Sequence, residues 1–149
     1  MTRALPHVAQ MSPYALASMT APEGTDLVSL SQNESLRGPS PKVIEASATR
    51  LVDATAYPDP DWSDLRDALA KLHVLPADDI LCGAGSLDLI ACVTRAFAGP
   101  GRSILAPAHA YPFFRTAAQM VDARFDTAPE KDCAVDVDSL LDNVKPDTT

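Results

Sequence analysis

Between residues 80 and 144 short apolar runs alternate with helix-length segments, each joined by a tight connection. Ile80-Leu81-Cys82 runs into Gly83-Ala84-Gly85 and then into the apolar-rich stretch Ser86 to Phe97. Gly99-Pro100-Gly101 ends that stretch, and Ser103 to Ala106 is the next strand-like run. A helix from Ala110 or Tyr111 to Met120, a third run at Ala123-Arg124-Phe125 and a short helix from Asp138 to Val144 complete the series. Strands and helices in alternation require crossover connections, so the pattern predicts parallel α/β layering with right-handed crossovers. Helix Ser86–Phe97 is apolar nearly all round, through Leu87, Leu89, Ile90, Ala91, Cys92, Val93, Ala96 and Phe97, which predicts cover on most of its sides. The alternation reaches Lys145–Thr149 where another strand is due. Three short strands are a small sheet for this much apolar helix surface.

The earlier residues read differently. Residues 1 to 40 form an arm and closing segment punctuated by Pro6, Pro13, Pro22 and Gly24, in which only Pro13 to Met19 is long enough for a short helix. Residues 41–149 are assigned to the α/β part. Ser40-Pro41 is a helix start by chemistry, a capping hydroxyl followed by a residue without an N–H. Val43, Ile44, Ser47, Leu51 and Val52 then recur at helical spacing to about Asp53. Tyr57-Pro58-Asp59-Pro60 forces an extended turn. A second helix, Trp62 to Leu72, follows with Leu65, Leu69 and Leu72 on one face and Asp61 or Ser63 as its cap.

At 46% hydrophobic residues the 149-residue chain carries enough apolar surface for one folded domain rather than disorder. Its net charge of −8 argues against nucleic acid or an anionic membrane as partner. No apolar run approaches a membrane span, and Met1 to Met19 lacks the pattern of a signal peptide, which makes the cytosol the expected compartment. Cys82, Cys92 and Cys133 are odd in number and contain no Cys-x-x-Cys pair, so buried free thiols are expected rather than disulfides or a zinc site. His7, His73 and His109 have no metal-ligand spacing.

The strand–Gly83-Ala84-Gly85-Ser86–helix junction is the sharpest local signal. A glycine turn lets backbone amides approach a ligand, and a helix N-terminus favours a phosphate. There is no third glycine for a dinucleotide fingerprint and no Gly-Lys-Ser/Thr for a P-loop, so a ligand-free tight turn stands equally beside the phosphate cradle. Asp88 reads as a partner of the helix dipole. Tyr111 falls in the next strand-to-helix connection, on the sheet edge where α/β folds place ligands, and can stack on a planar ring or simply pack. His109 reads as a solvent-facing loop histidine with no identified partner acid. Ser86 lacks the surroundings of a hydrolase nucleophile. Asp132, Asp136 and Asp138 lack the rest of a calcium loop and read as a solvated face.

Taken in order, Ser31-Gln32-Asn33-Glu34, Gly38-Pro39-Ser40-Pro41, Tyr57-Pro58-Asp59-Pro60, Leu65-Arg66, Gly83-Ala84-Gly85-Ser86, Arg95-Ala96-Phe97, Pro100-Gly101, Ile104-Leu105, Tyr111 and Asp136-Val137-Asp138 resemble the N-terminal part of the fold-type-I pyridoxal-phosphate aminotransferases. Within them the likeness is to the histidinol-phosphate group, and it runs from about Tyr14 to Thr149. The resemblance implies the first part of a mostly parallel α/β/α large domain. It implies a cofactor phosphate held by amides at Gly85, Ser86 and Leu87 and a pyridine ring stacked on Tyr111. Tyr57 would reach the cofactor of a neighbouring subunit in an obligate dimer. Tyr14, Asn33 and Gly38 would lie toward the substrate, an amino acid and a 2-oxo acid or phosphorylated keto compound.

The sequence departs from the family pattern at Leu87, where an acid is usual, at Ser35-Leu36 in place of Asn-Pro, and at Ala110 in place of Thr. The family anchors its cofactor to a lysine, and none of Lys42, Lys71, Lys131 and Lys145 matches it. In that fold the strand matching Ile80 to Cys82 pairs with one made later in the chain. The chain is therefore expected to stop short of the catalytic lysine and to be inactive alone. The alternatives are a related amino-acid aminotransferase or phosphate-substrate decarboxylase, a non-catalytic remnant that binds the cofactor or pairs with an intact subunit, and a free-standing phosphate-binding module.

Overall fold

A computed structural model describes residues 3–11, 20–26, 28, 34–35 and 37–149. Two units are present, residues 15–62 and residues 1–14 with 63–149. The segment Pro13–Met19, read as a possible helix, lies outside the described residues. The arm instead contains a four-residue helix, α1 (Pro6–Ala9), started by a proline at its first position. It packs against a later helix of its own unit, with His7 4.0 Å from Asp122.

In the unit of residues 15–62, α2 (Pro41–Arg50) begins as its sequence dictates, with the Val43 N–H donating to Ser40 Oγ at 3.3 Å. The helix does not reach Asp53 in regular form. Residues Leu51–Asp53 tighten into a 3₁₀ turn, a common way for an α-helix to end. Every described residue of this unit from 41 to 62 is exposed, including Val43, Ile44, Leu51 and Val52.

The other unit holds the sheet. Helix α3 (Ser63–His73) is tied to the following 3₁₀ turn by Arg66, whose guanidinium donates to the Ala77 carbonyl at 2.7 and 3.0 Å and reaches Asp78 at 3.0 Å. The α3 terminus carries a strained residue. Val74 stands at φ 56°, and the Leu75 N–H closes back to the Ala70 carbonyl at 3.0 Å. That closure is the Schellman bond, and it puts a β-branched side chain where glycine is favoured.

Ile80-Leu81-Cys82 is not a strand in the structure, contrary to the sequence expectation. Ile80 is extended, at φ −112° and ψ 122°, but a strand exists only through its ladder partner, and none lies beside this segment among the described residues. Helix α4 spans Ser86–Phe97, as the sequence predicts. Strand β1 is Ser103–Pro107, and α5 is Phe113–Met120. The late start of α5 follows from Pro112, which keeps Tyr111 out of the helix. Strand β2 (Arg124–Ala128) runs parallel to β1, in register from Ser103↔Arg124 to Pro107↔Ala128. Helix α6 (Val137–Asp142) is capped by Asp136, which accepts from the amides of Asp138 and Ser139, so Asp136 is a cap rather than part of a merely solvated face.

The strand position due after α6 begins at the tail. Thr148 bridges Ser103 in parallel, with the Ser103 N–H donating to the Asp147 carbonyl and the Thr149 N–H to the Ser103 carbonyl, both at 2.9 Å. Small side chains make the core. Ala106, Ala117, Ala118 and Ala128 are buried, and Ala91, Phe113 and Ala117 join α4 to α5. Helix α4 is less covered than its composition predicts. It buries only Ala91 and Thr94, while Leu87, Val93 and Phe97 are 44, 48 and 66% exposed. With so few strands, its remaining face borders an open, mostly apolar groove of about 800 Å³ that reaches Ile104, Phe114 and Thr149. The thiols also depart from expectation, since Cys133 is exposed and Cys82 and Cys92 are half-buried, all three unpaired.

A charged clasp holds the tail. Arg124 donates to Asp126 at 3.0 Å and lies 2.9 Å from Asp147, and Lys145 reaches Asp126 at 3.0 Å. The Asp126 carboxyl is held far below its ordinary value, first by Arg124 and then by Lys145. Folding thus depresses this pKa. The stability it contributes is complete above the unfolded value of about 4 and is lost as pH falls from there toward the folded value. Thermal unfolding followed by circular dichroism is expected to show Tm falling below about pH 4, and Asp126→Asn is expected to flatten that dependence. At the α3 terminus, Val74→Gly relieves a left-handed backbone at a 90% exposed side chain. Urea unfolding is expected to show a gain of about 1 kcal/mol.

Candidate functional site

The turn that opens α4 is built by two glycines with different tasks. A Cβ on Gly83 would lie 2.8 Å from Leu89 Cδ2 and 2.9 Å from Asp88 Oδ2, so this position is glycine for close approach. Gly85 stands at φ 90° and ψ 173°, a conformation closed to other residues at low cost, and a Cβ there would meet nothing within 4 Å. Asp88 does more than complement the dipole. Its Oδ2 accepts the Ala84 N–H at 3.0 Å and braces the turn from the first turn of the helix. Its Oδ1 lies 3.8 Å from Cys92 Sγ, to which Arg95 donates at 3.2 Å.

What remains at the helix start is a set of donors. Gly85 offers no side-chain cap, and the first amide to turn inward is Leu89, which donates to the Gly85 carbonyl at 3.2 Å. The amides of Gly85, Ser86 and Leu87 make no hydrogen bond among the described residues. Unsatisfied amides at the positive end of a twelve-residue helix, next to open space, suit an anion.

Tyr111 occupies the connection from β1 to α5. Its ring is 41% exposed and packs 6.3 Å from Phe113, tilted, and 6.3 Å from Phe114, edge-on. Phe114, on which Tyr111 packs edge-on, lines the groove that runs along α4 from Ser86 to Ala98. A smaller cavity of about 210 Å³ opens beside Tyr111, walled by Pro107, Ala110, Arg115 and Phe125. The Arg115 guanidinium lies 4.6 Å over the Phe125 ring.

His109 has a partner acid that the sequence did not disclose. Its Nδ1 is 2.8 Å from Glu130 Oε2, and its backbone N–H donates to Glu130 Oε1 at 3.1 Å. These contacts, the ring first and the backbone second, hold the Glu130 carboxyl below its ordinary value. Twenty-one residues separate the two, and no local pattern marks that pairing.

The remaining candidates lie elsewhere. Tyr14 and Asn33 are outside the described residues. Gly38 and Tyr57 belong to the unit of residues 15–62, where Gly38 is exposed and the Tyr57 side chain is wholly exposed. None of the four lysines lines either cavity. Lys42 and Lys71 are exposed on α2 and α3, Lys131 sits in an exposed bridge to Ala134, and Lys145 is committed to Asp126. No cluster of metal-ligating side chains occurs among the described residues, and no described helix is long and apolar enough to cross a membrane.

A parallel β-layer flanked by helices, with a glycine turn opening one helix, defines an α/β domain of the kind that places ligands at the carboxyl ends of its strands. Comparison with known proteins narrows the class. Residues 25–149 match the family described as aminotransferase class I and II, and the chain belongs to that family. It is 40% identical over 144 residues to a histidinol-phosphate aminotransferase of Paramagnetospirillum magneticum, covering 96% of this chain and 39% of that protein. With the histidinol-phosphate aminotransferase of Erythrobacter litoralis it shares 41% identity over 128 residues, 86% of this chain and 35% of the relative. The crystal structure of histidinol-phosphate aminotransferase from Sinorhizobium meliloti in complex with pyridoxal-5'-phosphate superposes with a TM-score of 0.81 at 25% identity, covering 99% of this chain and 40% of that one. The chain thus spans about two fifths of the length of the proteins it matches.

The glycines separate two energetic effects. Gly85→Ala is expected to cost about 1–3 kcal/mol in urea unfolding through backbone strain alone. Gly83→Ala is expected to shift the Leu89 and Asp88 side chains and so to speed hydrogen exchange at the Ala84 amide, which Gly85→Ala leaves braced.

Proposed function

We propose that the chain corresponds to the cofactor-phosphate-binding part of a pyridoxal-phosphate-dependent aminotransferase of the histidinol-phosphate type, which moves an amino group between an amino acid and a 2-oxo acid or phosphorylated keto substrate. The observation that carries this reading is the set of open amides at Gly85, Ser86 and Leu87 beside a half-exposed Tyr111. The residues fit the group, since the amides of Gly85, Ser86 and Leu87 make no hydrogen bond among the described residues and the turn at Gly85 borders open space. When bound, pyridoxal phosphate would supply an aldehyde carbon to carry the amino group and an electron-withdrawing ring as electron sink.

The residues of this chain bind and orient. The Gly85, Ser86 and Leu87 amides hold the phosphate through backbone dipoles, so the departure at Leu87 from the family's usual acid leaves this function intact. Tyr111 supplies a flat face that sets the ring plane. Tyr57 reaches the phosphate bound by a second copy in a homodimer, and its full exposure leaves it available for that contact. Tyr14, Asn33 and Gly38 belong to the substrate side, with Tyr14 toward the phosphate end of the substrate. The cytosol is the proposed compartment.

Since no lysine lines the site, the 149-residue polypeptide is expected to bind the cofactor without transaminating. The same lysine placement favours a second reading, a cofactor-binding or subunit-pairing role without catalysis, which co-purification with a longer homologous subunit would support. Equilibrium dialysis against pyridoxal phosphate tests the first. Saturable binding is expected, weakened about fivefold by Tyr111→Ala through loss of roughly 1 kcal/mol of ring contact. Ser86→Ala, which keeps its amide, should change little. Transamination of histidinol phosphate with a 2-oxo acid by this polypeptide alone would contradict the assignment of the missing lysine.

A further inference from the structure

The connection that carries Tyr111 is held from outside its own sequence. The Ala108 N–H donates to the Ala128 carbonyl at 2.9 Å, at the end of β2, and the Ala110 N–H closes a turn to Pro107 at 3.1 Å. Between them the His109 N–H goes to a side chain, Glu130 Oε1, and the His109 ring to the other oxygen of the same carboxylate. The Glu130 side chain is 9% exposed, whereas that of His109 is 79% exposed. The nearly buried member is therefore the acid, and both its oxygens are engaged by one residue of the loop.

We infer that Glu130 is a positioning residue for the Tyr111 platform, acting through His109 to fix the connection of residues 107–111 against the end of β2. The meaning of that platform rests on the proposed reading of Tyr111 as the face for the cofactor ring. The chemistry of the pair is specific. An ionised carboxylate only accepts, so the contact at 2.8 Å requires a proton on the His109 Nδ1. Two charge-assisted hydrogen bonds to one carboxylate give a stiffer hold than the neutral turn bonds beside them, and they account for the depressed carboxyl of Glu130.

A pair of variants separates this role from simple packing. In Glu130→Gln the amide oxygen still accepts the His109 N–H, but the NH₂ now donates to Nδ1 and drives the ring proton to Nε2. Glu130→Ala removes both acceptors. Nitrogen-15 spectra of the neutral histidine are expected to report the Nδ1–H form in the natural chain and the Nε2–H form in Glu130→Gln. Hydrogen exchange at the His109 amide is expected to rise about tenfold in Glu130→Ala and to stay near the natural rate in Glu130→Gln. The Tyr111 ring resonances should lose the shifts imposed by Phe114 only in Glu130→Ala. Unchanged His109 exchange and Tyr111 shifts in Glu130→Ala would overturn the inference, as would an Nε2–H ring in the natural chain.

Pyridoxal phosphate titration adds the functional arm. Affinity that falls in both Glu130→Ala and Tyr111→Ala and survives in Glu130→Gln supports the positioning role. Affinity that falls in Tyr111→Ala alone overturns it. A natural chain that does not bind the cofactor counts against the proposed function, and the exchange and tautomer results then decide the loop-fixing role by themselves.

Discussion

The arrangement depends on β1 having hydrogen-bonding neighbours on both sides. One edge carries the parallel ladder to β2, and the other is taken at Ser103 by the tail through Asp147 and Thr149. Ser103 is fully buried at this junction, its Oγ 3.4 Å from Thr148 Oγ1. A residue at a three-way backbone crossing must be small and must satisfy its own polar atom, and serine meets both conditions. The Arg124–Asp126–Lys145–Asp147 clasp lies next to the junction and fastens the same tail from the side-chain layer. With β1 fixed, the small side chains of Ala91 and Ala117 let α4 and α5 approach closely around Phe113.

The electrostatics of that end run against the chain as a whole. A net charge of −8 repels anions at long range, whereas the open amides at the glycine turn act at short range. Oriented amides act within one helical turn, well inside the screening length of about 8–10 Å. The acidic residue closest in sequence, Asp88, spends one oxygen on the Ala84 amide and so stiffens the turn that its charge would otherwise disfavour for an anion.

Some of this was legible in the sequence and some was not, for physical reasons that differ by element. Helix α4 could be bounded from Gly85-Ser86 and Gly99-Pro100, because its start and stop are written in local chemistry. The cap at Ser40 was legible for the same reason. The start of α5 was misplaced by two or three residues because the exclusion imposed by Pro112 was not applied to Tyr111. Ile80–Cys82 has strand composition and one extended residue in evidence, but strand formation is a property of pairs, and its partner is not among the described residues. The Glu130–His109 pair was invisible because it joins two loops across β2 with no periodicity to announce it. The class of fold and the glycine turn came from residue order; the brace on that turn and the hold on Tyr111 came only from coordinates.

The central claim is that an anion is held by main-chain amides at the start of α4. Titration of nitrogen-15-labelled protein with pyridoxal phosphate, with inorganic phosphate as the minimal probe, tests it most directly. Saturable shifts are expected at the Gly85, Ser86 and Leu87 amides with both ligands, joined by Tyr111 only with the ring-bearing one. Shifts confined to the apolar groove, or none at these three amides with either ligand, would contradict it.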